Sequence, residues 1–511
     1  MKAKLFIVLF FSVLVSGFCQ NTPNTTTSGD ALISYLETAE KEKNLELIRQ
    51  IFDEDATILH PDGLPIAGKD AIISLYEYLW AHTQVETVKY QTDSAYNENN
   101  LHIEVGRSVF IGSNKIQDTI PFKATFVPSE GGYKISQLAL GNKVTMESRL
   151  PKLIEPTGEY KIGQSIYFFD KQNTKSNRIL AFQVWYPAKP GKQEKAQYQY
   201  EEVAKASAEF LGLPLFFNSY ASLIESNSYL NAPGFTNQKF PVLLYNHGYS
   251  GFSSVYQTVF EDLASHGYIV VSIGHENESA LLIVEDGIII TTDPENEFYK
   301  SRAGELNGEE VNSLQDILLN SDDPNENKTA YEALIKLSPL HNESTRLWAQ
   351  DTKQVIEKLK ELNTSYPRLK GLFDLESIGV FGHSVGGATA GQLAFDCDEI
   401  RAGINLDGFQ FGDLIHHRLK IPFMFVSSNR NGDSYLRASS IIEHSDTICI
   451  QSVIKGFSHG SFSDLELFKP GGEKVIELQR DLIRTFFDKY LKSGNLQLLE
   501  LENRYPEIIL K

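Results

Sequence analysis

The chain has 511 residues, of which 41% are hydrophobic and 22% charged, and its formal net charge is −19. That length exceeds what one hydrophobic core serves, and the composition is that of folded protein rather than of a disordered chain. The acidic balance, with no basic block, excludes nonspecific attraction to nucleic acid or anionic membrane and leaves apolar contact with neutral lipid as the open peripheral interaction.

Residues 1–19 run from Lys2 and Lys4 into an apolar stretch over 5–15 and then into small residues. This is the three-part layout of a secretory signal peptide, too short in its core for the ~20 apolar residues of a membrane span. Cleavage is expected before Gln20, with the mature protein secreted or periplasmic. Lipid anchoring through Cys19 is the weaker alternative, because Phe18 fits poorly before a lipidated cysteine. The two remaining cysteines, Cys397 and Cys449, make no disulfide framework and read as free thiols.

After a Thr/Asn-rich spacer at 21–29, residues 31–52 carry Leu32, Tyr35, Leu36 and Ala39 at helical spacing, and a second helix is expected at 71–80 after the turn Pro61-Asp62-Gly63. The period then changes to alternation over 85–93, 101–111, 119–127 and 133–140, as in antiparallel strands. The line "FDEDATILHPDGLPIAGKDAI" (52–72) resembles the SnoaL-like and nuclear-transport-factor-like cones, which implies a smaller α+β domain over 28–145. His60, Asp62 and His102 are its polar candidates for an interior site, each weighed against a role in a turn or a satisfied strand face.

From about Pro156 onward the pattern is a hairpin followed by apolar strand-length runs alternating with helical stretches. The strand-like runs are 242–246, 268–273, 378–381, 402–406, 421–427 and 447–454; the helix-like ones are 259–266, 348–362, 388–395 and 475–491. Such alternation predicts an α/β domain over 152–500 with a mostly parallel sheet covered on both faces. Two stretches break it: 192–239, which contains the apolar run 210–217, and 281–341, which is long, acidic and weakly periodic. Long insertions of this kind are lids or loose excursions. Phe216 and Phe217 are expected to border an acyl pocket or an interfacial entrance, with core packing as the alternative.

The chemistry is carried by Gly382-His383-Ser384-Val385-Gly386-Gly387, set between a buried-strand run and a small-residue helix. This is the nucleophile-elbow context of an α/β hydrolase, in which a strained turn exposes the serine above the sheet. Ser384 then needs a base and an orienting acid, in the chain order serine, acid, histidine. Sites in such sheets lie beyond the carboxyl ends of the strands. His416, His417 and His444 precede strands, so His459, in the loop "GFSHGSFSD", is the base. The same rule removes Asp396, Asp398 and Asp446 but leaves both Asp407 and Asp433, each following a strand. Asp464 reads as the start of the next segment. The amide of Val385 should supply one half of an oxyanion hole and the turn "NHGYSG" (246–251) the other, through Tyr249. No metal cluster, dinucleotide fingerprint or phosphate loop occurs, so neither metal nor cofactor is expected.

The segments "PVLLYNHGYSGFSSVYQTVFEDLASHGYIVVSIGHENESA", "DLESIGVFGHSVGGATA", "RAGINLDGFQFG" and "GFSHGSFSD" resemble the group VII phospholipases A2, the plasma-type platelet-activating factor acetylhydrolases and their bacterial relatives. The resemblance implies an α/β-hydrolase fold, a small ester or short-chain phospholipid as substrate, Asp407 rather than Asp433 as the acid, and oxyanion amides at Tyr249 and Val385. The chain departs from the lipoprotein-associated enzymes at Val385, where they have an aromatic, and at Gly408, where they have a small apolar residue. Alternatives are a dienelactone-hydrolase-like or polyester-directed esterase and, from another class, an inert hydrolase fold that only binds. The complete Ser, His and acid set argues against the last.

Overall fold

Helix α1 (Ile33–Glu42) ends where Lys43 turns left-handed (φ 51°), and Asn44 restarts the chain as the N-cap of α2 (Leu45–Ile51), its side chain accepting the Leu47 amide at 3.1 Å. The single helix expected over 31–52 is therefore two, because Asn44 offers the backbone a local partner that a continuing helix would not. The structure, a computed structural model, describes residues 32–510 apart from 61–63, 84, 113–116, 131, 142–149, 176, 236–237, 285–288, 322, 429–444, 493 and 495–497. The leader with Cys19, and Asp62, Asp433 and His444, lie outside the described residues.

Two compact units form, one from Met1–Lys152 with Gln199–Ile224, the other from Leu153–Tyr198 with Glu225–Lys511. In the first, α1, α2 and α3 (Lys69–His82) accompany strands β1 (Phe52–Leu59), β2 (Ile66–Ala67), β3 (Val85–Glu98), β4 (Leu101–Gly112), β5 (Gln117–Ser129) and β6 (Gly132–Leu140). The sheet order is β2-β1-β6-β5-β4-β3, antiparallel except for β1 with β6. Leu36, Ala39 and Ile48 from the helices meet Phe122, Phe126 and Leu138 from the sheet in one core. Within it Glu40 of α1 is buried and accepts the Tyr76 hydroxyl at 2.7 Å and that of Tyr90 at 3.1 Å. Burial nonetheless pushes its carboxyl up to about 7. Of the polar residues expected inside this unit, His102 pairs with Asn97 at 3.0 Å and Glu104 at 3.3 Å.

The contiguous division expected from sequence needs one correction, since residues 199–224, with helix α4 (Glu201–Phe210), belong to the first unit. There the Ser219 hydroxyl accepts the Ala67 amide at 3.1 Å and the Ser74 hydroxyl accepts that of Leu215 at 3.1 Å. Phe216 sets its ring edge-on to Tyr78 at 5.5 Å, and Phe217 is 55% exposed. These two rings therefore belong to the first unit.

The second unit contains β7 (Lys161–Phe169), β8 (Leu180–Ala188), β9 (Lys195–Gln197), β10 (Glu225–Leu230), β11 (Phe240–Asn246), α5 (Gln257–Ser265), β12 (Ile269–His275) and the hairpin β13 (Leu281–Ile283) and β14 (Ile289–Thr291). Helices α6 (Glu297–Glu305), α7 (Glu309–Asn320), α8 (Pro324–Leu337) and α9 (Pro339–Ser365) follow, then β15 (Phe373–His383), α10 (Val385–Asp396), β16 (Ile400–Leu406), β17 (Phe423–Ser428), β18 (Cys449–Ile454), α11 (Gly472–Leu491), α12 (Leu498–Arg504) and β19 (Ile508–Leu510). Among the described residues the large sheet runs β19-β18-β17-β16-β15-β11-β12-β8-β7-β10-β9. Its centre, from β12 through β11 and β15 to β18, is parallel. Along β11, Val242 and Leu244 enter one core while Leu243 and Tyr245 enter the other, so the sheet is covered on both faces. The stretch 281–341, weakly periodic in sequence, is largely helical. Asn296 and Asp323 cap α6 and α8, and Val311, Leu318, Tyr331 and Leu334 supply its share of the core. No helix among the described residues is long and apolar enough to cross a membrane.

Gln197 and Glu225 are register partners across β9 and β10, so the excursion 199–224 leaves and rejoins the second unit at adjacent strand ends. A fragment of residues 153–511 with 199–224 replaced by an Asn-Gly turn should therefore be more soluble, and melt a few degrees higher, than the same fragment with the excursion kept. Equal solubility and melting would show that the excursion is stable without the first unit. A second expectation concerns Glu40, which in the fold holds a proton that the unfolded chain releases between 4.5 and about 7. Stability drawn from it is present at low pH and is lost as pH rises through that window. The melting-temperature difference between Glu40→Gln and wild type should thus move in the variant's favour from pH 4.5 to about 7 and level off above; a pH-independent difference would refute the buried acid.

Candidate active site

Ser384 occupies the tight turn between β15 and α10 with φ 56° and ψ −122°, a conformation that costs a non-glycine residue of order 1–3 kcal/mol. Crowding around the turn holds it there. A Cβ on Gly386 would lie 2.0 Å from the Asn246 carbonyl oxygen and 2.4 Å from that of His247, so only glycine lets α10 start against β11. The Ser384 amide donates to the Leu406 carbonyl at 3.0 Å, tying the turn to the end of β16, where Asp407 follows at once.

His459 enters from the loop after β18, on a single 3-10 turn (His459–Ser461) closed by reciprocal hydrogen bonds between Ser458 and Ser461. Its Nε2 lies 3.0 Å from Ser384 Oγ and its Nδ1 2.7 Å from Asp407 Oδ2. Asp407 is fully buried and also accepts the Ser428 amide at 2.7 Å and hydroxyl at 2.9 Å. A carboxylate only accepts, so Nδ1 carries the proton and Nε2 turns its lone pair to the serine hydroxyl. The His383 ring packs against His459 with centroids 4.5 Å apart. Gln479 Nε2 donates to the Ser461 carbonyl at 3.0 Å and holds the histidine turn from below.

The Val385 amide, first in α10, has no acceptor within the helix by position, and lies at the helix's positive end. The turn bearing Tyr249 comes to the serine at Gly248, where an added Cβ would be 3.3 Å from Ser384 Cβ. Beneath it His247, fully buried, has Nδ1 2.6 Å from the Gly248 carbonyl and Nε2 2.7 Å from the Ser279 hydroxyl. Burial drives this imidazole down to about 3, so it is neutral and the carbonyl contact places its proton on Nδ1.

Three of the residues set aside by strand direction, His417, Asp396 and Asp446, are engaged elsewhere. His417 stacks on Phe395 at 4.2 Å, Asp396 pairs with Lys353 at 2.8 Å, and Arg418 donates to Asp446 at 2.7 Å. Asp464 is buried beneath the histidine loop, accepting the Thr258 amide at 3.0 Å and the Tyr198 hydroxyl at 3.2 Å, and burial raises its carboxyl to about 7. The arrays under Gly248 and around Asp464 escaped sequence reading, because polar residues scattered over five elements carry no local spacing. The doubled histidines His247 and His275, each beside a strand end, were the available signal.

The arrangement sets a base and an orienting acid in line with a serine hydroxyl beside the amide-bearing start of a helix, which suits acyl transfer. Comparison with known proteins agrees in kind. Residues 145–476 match the family described as platelet-activating factor acetylhydrolase, isoform II. The chain is 25% identical over 308 residues to the bovine platelet-activating factor acetylhydrolase and 26% over 292 residues to the canine one. Each match covers 56% of this chain and 61% of the relative, so the likeness spans under two thirds of those proteins. A ferulic acid esterase from Streptomyces cinnamoneus superposes with a TM-score of 0.53 at 19% identity, over 71% of this chain and 99% of that one, which shows the shared α/β-hydrolase fold. With the matched segment running from before the opening hairpin to the start of α11, the chain belongs to the platelet-activating factor acetylhydrolase, isoform II family.

Proposed function

We propose that the chain is a serine carboxylic ester hydrolase in which Ser384 is the nucleophile, His459 the general base and acid, and Asp407 the orienting acid. The reading rests above all on the relay from Asp407 Oδ2 through the His459 ring to Ser384 Oγ, with spans of 2.7 Å and 3.0 Å. Ser384 Oγ attacks the ester carbonyl carbon as His459 Nε2 takes its proton, and Asp407 stabilises the imidazolium. The carbonyl oxygen, now charged, receives the amides of Val385 and Tyr249. Collapse expels the alcohol, protonated by His459, and leaves an acyl-serine. Water deprotonated by the same imidazole attacks it, and free acid and free serine are restored.

Family membership supports an acetylated or otherwise short-chain phospholipid, or a related small ester, as substrate. Export is supported by the leader-like residues 1–19, and three helices sharing a core with a six-stranded, mostly antiparallel sheet support the SnoaL-like, nuclear-transport-factor-like reading of residues 28–145.

With p-nitrophenyl acetate as substrate, Ser384→Ala should fold normally and lose at least about 10⁴-fold in kcat, and Asp407→Asn should lose of the order of 10³–10⁴-fold, because the wrong imidazole tautomer then faces the serine. Asp433→Asn should stay close to wild type. Normal turnover by purified Ser384→Ala, or an Asp433→Asn variant more crippled than Asp407→Asn, would overturn the assignment.

A further inference from the structure

The turn that carries Tyr249 is closed by the Gly251 amide donating to the Gly248 carbonyl at 2.8 Å, with a glycine at each end that leaves the flanking backbone permissive. Ser250 within it adopts φ 65°, a left-handed conformation that a serine keeps only when its surroundings hold it. On one side the Glu278 carbonyl accepts the Ser250 amide at 3.0 Å, and the Gly251 carbonyl accepts that of Ala280 at 2.9 Å. On the other side stands Tyr299 on α6, with the His341 ring farther off at 6.2 Å from that of Tyr249.

Its hydroxyl hydrogen-bonds the Ser250 hydroxyl. Its ring stacks on that of Tyr249 with centroids 5.3 Å apart and 25° between planes, and its carbonyl accepts the Tyr249 hydroxyl at 3.2 Å. One side chain and its own carbonyl thus grip two consecutive residues of the turn. Helix α6 is itself anchored. Arg302, one turn on and nearly fully buried, donates through Nε to Ser344 at 3.0 Å, lies 3.4 Å from the Glu278 carboxylate, and donates through Nη2 to Glu343 at 2.7 Å. The Glu305 carboxylate accepts the amides of Leu340 and His341 at 2.7 Å and 2.8 Å.

We propose that Tyr299 is a positioning residue for the hydrolytic reaction: the insertion helix α6 acts through it as a clamp that aims the Tyr249 amide at the developing oxyanion. The proposal rests on the serine-esterase reading above. A preorganised amide is worth most in the transition state, so a loosened one lowers kcat more than it raises KM.

The test uses the full chain with p-nitrophenyl acetate and a trifluoromethyl ketone, which forms a tetrahedral adduct bearing the same oxyanion. Tyr299→Phe keeps the stacked ring and loses the hydroxyl; Ser250→Ala removes the same bond from the other side and carries the test should the first variant fold poorly. Each should lower kcat about tenfold, below the ~10²–10³ of losing an oxyanion donor outright. KM and melting temperature should stay near wild type, ketone affinity should weaken by a similar factor, and the double variant should be no worse than either single one. Wild-type kcat and ketone affinity in Tyr299→Phe, or losses that multiply in the double variant, would overturn the clamp. Ser384→Ala in the same series separates the two ideas: if it still turns over, the reading of the site falls and the clamp with it, whereas a dead Ser384→Ala beside an unaffected Tyr299→Phe sinks the clamp alone.

Discussion

Helix α10 begins with Gly386 pressed so closely on the end of β11 that an added Cβ would stand 2.0 Å from the Asn246 carbonyl oxygen, and the geometry above the sheet follows from that approach. It sets the Val385 amide beside the turn that continues from β11, so the two proposed halves of the oxyanion hole are neighbours before any substrate arrives. It also forces the sharp reversal at Ser384, whose strained backbone turns Oγ out of the sheet. A methyl group at Gly386 would have to move helix or strand, and either motion would separate the serine from the Gly248 turn.

A backbone contact that close requires Asn246, the last residue of β11, and His247 just after it to be immobile, and their side chains are built into a buried polar array. Asn246 Oδ1 lies 2.9 Å from His275 Nε2 and accepts the Thr352 hydroxyl at 2.9 Å; His275 lies flat on Trp348 at 4.0 Å, and its Nδ1 is 3.1 Å from Asp351. Arg178 meets Asp351 through Nε at 3.1 Å, while burial alone would drive that carboxyl up and does carry it to about 6. Each such group left unpaired in the interior would cost about 1–3 kcal/mol, so loss of one member weakens its neighbours as well. That cooperativity gives the strand end its rigidity.

How much of this was legible follows from where the information lies. The elbow could be read because strand, glycines, serine and helix are contiguous, and His459 because it alone among the later histidines follows a strand in a small-residue loop. Asp407 and Asp433 were equivalent to that rule, and family resemblance, not spacing, favoured the former. Residues 199–224 were misplaced because their anchors, Ala67, Ser74 and Tyr78, are more than a hundred positions away. The helices over 297–337 hid for another reason. Their buried faces need only a few apolar residues such as Val311, Leu318, Tyr331 and Leu334, and the acidic remainder dilutes the period.

Helix α8, through Tyr331, and the start of α9, through His341 and Asn342, meet the chain beyond Asp407 in a selective way. The Tyr331 hydroxyl donates to the Gln410 carbonyl at 2.6 Å, its ring stacks on Phe409 at 4.6 Å, His341 lies 4.8 Å from Phe411, and Asn342 accepts the Gly412 amide at 2.9 Å. All four contacts fall on residues 409–412, just beyond Asp407, as those of Tyr299 fall on the turn beside Ser384. The proton relay is held by other means. Paired His383 and Leu406 bring Ser384 and Asp407 off adjacent parallel strands at one level, and Ser428 on the next strand fixes the carboxylate. The insertion is therefore coupled to residues 409–411 and to the turn at Tyr249, while the sheet carries Ser384 and Asp407. Substitutions in α6 to α8 therefore bear on the turn at Tyr249 and on residues 409 and 410, and leave untouched the strand pairing that sets Ser384 beside Asp407.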